Sequence, residues 1–222
     1  METVELAYDV YECQDTHSDL LPIVVLHGMF WNKYMYRELG SKLCQKTKRK
    51  VYCLDLRNHG KSPFTEKFDI YVICDDVKRF LSEHGIKKAT LITHSFSCTV
   101  SYLIAIQQKE LFYKKLVHDL TKDDGKFKWK TNTDFLNKEI LEENTLKLKK
   151  EGFSNHEILF VRCQDSYNIT DSRFEEILKF CPNSRLITIE DTTHLLLLEK
   201  VDEFVNAVTD FLGPVCNSED RI

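Results

Sequence analysis

Ala89-Thr90-Leu91-Ile92-Thr93-His94-Ser95-Phe96-Ser97-Cys98 is the stretch that decides the fold. An apolar run ends abruptly at a serine, and a helical pattern (Val100, Leu103, Ile104) begins directly behind it. This is the layout of a nucleophile elbow, a sharp strand-to-helix turn that lifts a serine hydroxyl above a parallel sheet. The first N–H groups of the following helix then point at the spot where an oxyanion would form. The usual pattern is G-x-S-x-G, and here Thr93 and Ser97 stand at the glycine positions. The small Ser97 is easily fitted beside a strained serine; the β-branched Thr93 is the harder substitution. By itself the stretch also fits a serine that merely N-caps a helix.

Reading outward, strands and helices alternate. Val4 to Cys13 alternates apolar and polar residues, as an edge strand or hairpin would. Pro22-Ile23-Val24-Val25-Leu26 is a continuous apolar run, the mark of a strand covered on both faces, and it ends in His27-Gly28-Met29-Phe30. Tyr36, Leu39, Leu43 and Cys44 recur at helical spacing; Val51 to Leu54 is a further strand; Ile70 to Leu81 is an amphipathic helix. Short strands are expected over 116–118, 158–161 and 186–189, a helix around Phe174, Ile177 and Leu178, and a closing helix over 201–212 before Gly213-Pro214. The Lys-, Asp-, Glu- and Asn-rich segment from Thr121 to Gly152 reads as a loop followed by a helix. No linker divides the chain, so residues 1–222 are expected to form a single domain. Such alternation specifies an α/β fold, a mainly parallel twisted sheet with helices on both faces. Functional groups in these sheets gather at the carboxyl ends of the strands, and Gly28, Ser95, Asp119, Asp165 and His194 all follow a predicted strand directly.

Composition bounds the possibilities. With 222 residues, 42% hydrophobic and 30% charged, the chain can bury a substantial core. A net charge of −4 argues against nucleic acid as a partner, and no apolar run is long enough for a membrane span. The acidic start, Met1-Glu2-Thr3-Val4-Glu5, lacks a signal-peptide core. The eight cysteines form no C-x-x-C pair and no zinc-ligand spacing, so buried free thiols in a reducing, cytoplasmic compartment are expected, with neither metal nor organic cofactor. The sequon at Asn168-Ile169-Thr170 carries no weight without a secretory signal.

A serine hydroxyl needs a base, and that base needs a carboxylate to hold its tautomer. Ser95, then Asp119 or Asp165, then His194 supply these in the order serine, acid, histidine.

Leu26-His27-Gly28-Met29-Phe30, Asp55-Leu56-Arg57-Asn58-His59-Gly60-Lys61-Ser62-Pro63, Thr93-His94-Ser95-Phe96-Ser97 and Thr193-His194 sit where α/β-hydrolases carry their motifs. From about Leu21 to Leu212 the sequence resembles that superfamily. Within it the likeness is greatest to the abhydrolase-domain-containing protein 11 branch and related bacterial short-chain esterases. The resemblance implies an α/β-hydrolase fold with a reduced or missing lid over 120–152. It implies Ser95 as nucleophile, His194 as base, Asp165 as the preferred orienting acid with Asp119 as alternative, and the Met29 and Phe96 N–H groups as the oxyanion hole. Arg57, Asn58 and His59 would form a structural loop, and His94 would pack beside the site. The implied activity is hydrolysis of a small-molecule carboxylic ester or thioester through an acyl-enzyme on Ser95. The alternative is a catalytically inactive relative kept as a binding or scaffold protein. The family likeness also admits a mitochondrial location.

Overall fold

The computed structural model describes residues 2–107, 115–119, 156–166, 169–179 and 181–213. The expected reduced cap over 120–152, Asn168 of the sequon and Cys216 lie outside the described residues.

The apolar run after Pro22 becomes β2 (Ile23–Leu26), in which all four residues are buried. Alternate side chains serve opposite faces: Val24 and Leu26 join one core cluster, Ile23 and Val25 the other. The same division holds in β3 (Val51–Leu54), β4 (Thr90–His94) and β6 (Glu157–Cys163). One face is covered by α2 (Ile70–Glu83) and α3 (Ser97–Gln107), with Phe174 and Ile177 of α4 (Asp171–Leu178) packed at its margin. On the other lie α1 (Arg37–Thr47), α5 (Leu196–Glu199) and α6 (Val201–Leu212). Asp69 caps α2 by accepting the Tyr71 and Val72 N–H groups, both at 2.9 Å, and Thr170 caps α4.

With β1 (Tyr8–Tyr11), β5 (Lys115–Asp119) and β7 (Ser184–Ile189), the sheet runs β1-β3-β2-β4-β5-β6-β7. Only the edge strand β1 is antiparallel. It is shorter than the alternation from Val4 to Cys13 suggests. The Ala7 N–H goes to Ser62 Oγ at 2.8 Å, and the Cys13 N–H to Thr16 Oγ1 at 2.8 Å, so backbone donors on both flanks are spent outside the sheet.

The chain adds β3 on one side of β2 and then crosses to lay β4 on the other. The loops leaving β2 and β4 therefore diverge at the point where strand order reverses, opening a crevice above their carboxyl ends. Ser95 and Gly28 stand at its two lips.

Candidate active site

Ser95 sits at φ +54°, in the left-handed region that a non-glycine residue occupies only when its surroundings force it there. A serine that only caps a helix would keep extended backbone, so this conformation separates an elbow from a cap. The two substituted glycine positions are accommodated by hydrogen bonding. Thr93 is buried, with Oγ1 donating to Cys98 Sγ at 3.5 Å and lying 3.3 Å from Ser101 Oγ. The Ser97 hydroxyl accepts the His94 N–H at 3.0 Å and lies 2.8 Å from the Leu26 carbonyl, tying the elbow to β2.

Gly28 brings the loop after β2 against this turn. A Cβ at Gly28 would lie 2.9 Å from His94 Nδ1 and 3.4 Å from Ser95 Cβ, so only glycine lets the two backbones meet. The following Met29 N–H and the Phe96 N–H have no hydrogen-bond acceptor among the described residues. These are the two groups expected to form the oxyanion hole. Phe30 holds φ +67°, and its N–H donates to His59 Nε2 at 3.1 Å while His59 Nδ1 donates to the Arg57 carbonyl at 2.8 Å.

The loop 55–63 is structural, as expected, and it is tightly bound. Arg57 is buried and grips Asp76 through Nε (2.5 Å) and Nη2 (2.7 Å). Asp55 accepts the Lys33 and Lys61 N–H groups at 2.7 and 2.8 Å. At Gly60, φ +55°, an added Cβ would overlap the Asp55 carboxylate. His59 does more than fill this loop, because it anchors the backbone beside the candidate oxyanion hole.

His194 follows β7 in a turn braced by Glu199, which accepts both the Thr193 N–H and the Thr193 hydroxyl at 2.7 Å. It reaches the elbow through His94. The two rings lie against each other at 4.6 Å, tilted by 35°, and His94 Nε2 donates to the His194 carbonyl at 3.1 Å. The other His94 nitrogen, Nδ1, accepts the Tyr36 hydroxyl at 3.0 Å, and Trp31 covers the ring at 4.5 Å. Burial and then the neighbouring His194 push the His94 pKa down to about 3. His27 is likewise held well below the usual histidine range by burial, with Nε2 accepting the Leu56 N–H at 2.9 Å. The Ser95 hydroxyl has no hydrogen-bond partner among the described residues. Glu199 carries no motif of its own in the sequence, and Tyr36 enters there only as one of the residues at helical spacing.

The two candidate acids occupy different places. Asp119 ends β5 and is paired across the ladder with His94 of β4. Asp165, one strand further out, is exposed in the turn after β6 and makes no hydrogen bond or ion pair with any described residue. It lines an open hollow of about 340 Å³ together with Asp191, Thr192 and Glu199. No three His, Cys, Asp or Glu side chains among the described residues are grouped as a metal site.

The α/β hydrolase fold family matches residues 22–144. The chain belongs to this family. It is 26% identical to sn-1-specific diacylglycerol lipase ABHD11 of Danio rerio, over 95% of this chain and 83% of the relative. It is 34% identical to a probable alcohol acetyltransferase of Wickerhamomyces anomalus, but over 53% of this chain and only 36% of that protein's length. Among solved structures, a marine microorganism esterase superposes with a TM-score of 0.80 at 18% identity, covering 94% of this chain and all of that one. No helix among the described residues is long and apolar enough to cross a membrane.

Proposed function

We propose that the protein is a serine hydrolase that cleaves carboxylic esters or thioesters through an acyl-enzyme on Ser95. The observation that carries this reading is the strained Ser95 at the carboxyl end of β4, beside two backbone N–H donors without an acceptor among the described residues. The named activities of the lipase and acetyltransferase relatives, both acyl-ester chemistries, support it. His194 Nε2 takes the Ser95 proton as Oγ attacks the substrate carbonyl. The oxyanion is received by the Met29 and Phe96 N–H groups, and its collapse expels the alcohol or thiol, which leaves with the proton from His194. Water, deprotonated by the same histidine, then releases the acid. Ser95 and His194 are not yet hydrogen-bonded here, and catalytic hydrogen bonds often close only around bound substrate.

For the orienting acid the strand register adds weight to Asp119. It is paired with His94, whose ring lies against that of His194, whereas Asp165 is exposed and unbonded to any described residue. We assign the role to Asp119 and keep Asp165, the sequence's own preference, as the alternative. The seven described cysteines are free thiols, six of them buried, which fits a reducing, cytoplasmic setting.

A fluorophosphonate probe tests the reading. It should label the protein once, and Ser95→Ala should abolish the label. Label persisting in Ser95→Ala, or none in the wild type, would favour the inactive binding-protein alternative.

A further inference from the structure

The His94 ring is fully used. Its Nε2 faces a carbonyl, which can only accept, so that nitrogen carries the proton. Its Nδ1 is then a lone pair, and the Tyr36 hydroxyl donates to it. Tyr36 is itself 1% exposed and is the last residue before α1, so the relay starts on a rigid element. It ends on the main chain of His194, in a turn between β7 and α5 that is also braced by Glu199 and by the Thr192 hydroxyl on the Ile189 carbonyl. The turn is thus restrained both from the helix behind it and from the elbow beneath it.

We propose that His94 and Tyr36 are positioning residues: the Tyr36 hydroxyl orients the His94 ring so that its Nε2–H holds the His194 backbone at the height of the Ser95 hydroxyl. This rests on the reading of Ser95 and His194 as nucleophile and base. Neither residue touches the reacting atoms. Their effect lies in the distance and angle between Ser95 Oγ and the His194 ring, to which rate is steep and ground-state binding is not.

The experiment compares Tyr36→Phe, His94→Leu and His94→Gln with the wild type, using hydrolysis of a short p-nitrophenyl ester and the rate of fluorophosphonate labelling at Ser95. Gln can present an amide N–H near the Nε2 position; Leu cannot. His94→Leu should lower kcat and the labelling rate by about 10²-fold, with KM changed by no more than about twofold. His94→Gln should restore most of that loss, and Tyr36→Phe, which removes a single hydroxyl, should lose about tenfold. If His94→Leu does not fold, Tyr36→Phe and His94→Gln carry the comparison. Equal losses in the Gln and Leu variants, or wild-type rates in Tyr36→Phe, would overturn the proposal while leaving Ser95 chemistry intact. A wild type that takes no probe at Ser95 would overturn the hydrolase reading and the proposal together.

Discussion

Three buried histidines surround the elbow, and each is kept from carrying a proton. His27, His59 and His94 all have pKa values lowered by burial, His94 to about 3. An unfolded chain takes up these protons as pH falls below about 6.5, while the folded protein does not. Folding stability is therefore complete above that value and is lost as pH falls through it towards the folded values, by up to about 1.4 kcal/mol per pH unit for each histidine. Urea midpoints at pH 7 and pH 5 should show this decline; equal midpoints would contradict it. Because His94 stays neutral, the activity profile near neutrality should report one base. Turnover should rise with pH as His194 loses its proton, because the base must be neutral to take the Ser95 proton. A flat profile would remove His194 from the mechanism. The acid is decided at the same scale. Asp119→Asn should cost on the order of 10⁴ in turnover, the effect of a lost triad carboxylate in a serine protease. Asp165→Asn should be far milder, and the reverse ranking in one kinetic comparison would move the role to Asp165.

At the scale of elements, the loop 55–63 acts as a buttress. Arg57 and Asp76 tie it to α2, and His59 passes that rigidity to Phe30 beside the candidate oxyanion hole. Breaking a buried pair leaves a charge without its partner, which costs about 3–5 kcal/mol. Asp76→Ala should therefore lose that much in urea unfolding, and Arg57→Met combined with Asp76→Leu should lose less than the single change. A loss below about 1 kcal/mol for Asp76→Ala would contradict the buttress. Much of this level was legible in the sequence. The apolar runs after Pro22 and at Val51 gave both-face burial because alternate residues enter two different cores. The D-x-R-N-H-G string was readable as a loop, with its structural role implied by the family resemblance; that Gly60 lies against Asp55 shows only in the fold. What pattern does not carry is partnership across the chain. Nothing in periodicity pairs Tyr36 with His94, 58 residues apart, or sends the Ala7 N–H to Ser62 instead of the sheet. Thr93 looked awkward at a glycine position for the same reason, since its hydroxyl donates to Cys98 Sγ and lies beside Ser101 Oγ in the following helix.

For the whole molecule, topology does the assembling. The crossover that lays β4 beside β2 brings the loop after Leu26 against the turn after His94, and the last strand carries His194 to the same rim. Residues about 70 and 100 positions apart meet there, at Leu26 with Ser97 and at His94 with His194. The fold then supplies a strained serine, two backbone donors without an acceptor among the described residues and a histidine whose carbonyl is held from beneath, and on these the proposed acyl transfer rests. The central claim is that Ser95 becomes acylated. The direct measurement is peptide mass spectrometry after an acid quench of the protein turning over a short p-nitrophenyl ester. The account predicts one acyl group on the peptide containing Ser95, absent in Ser95→Ala. Turnover of the ester with no acyl group on Ser95, or an acyl group on another residue, would contradict it.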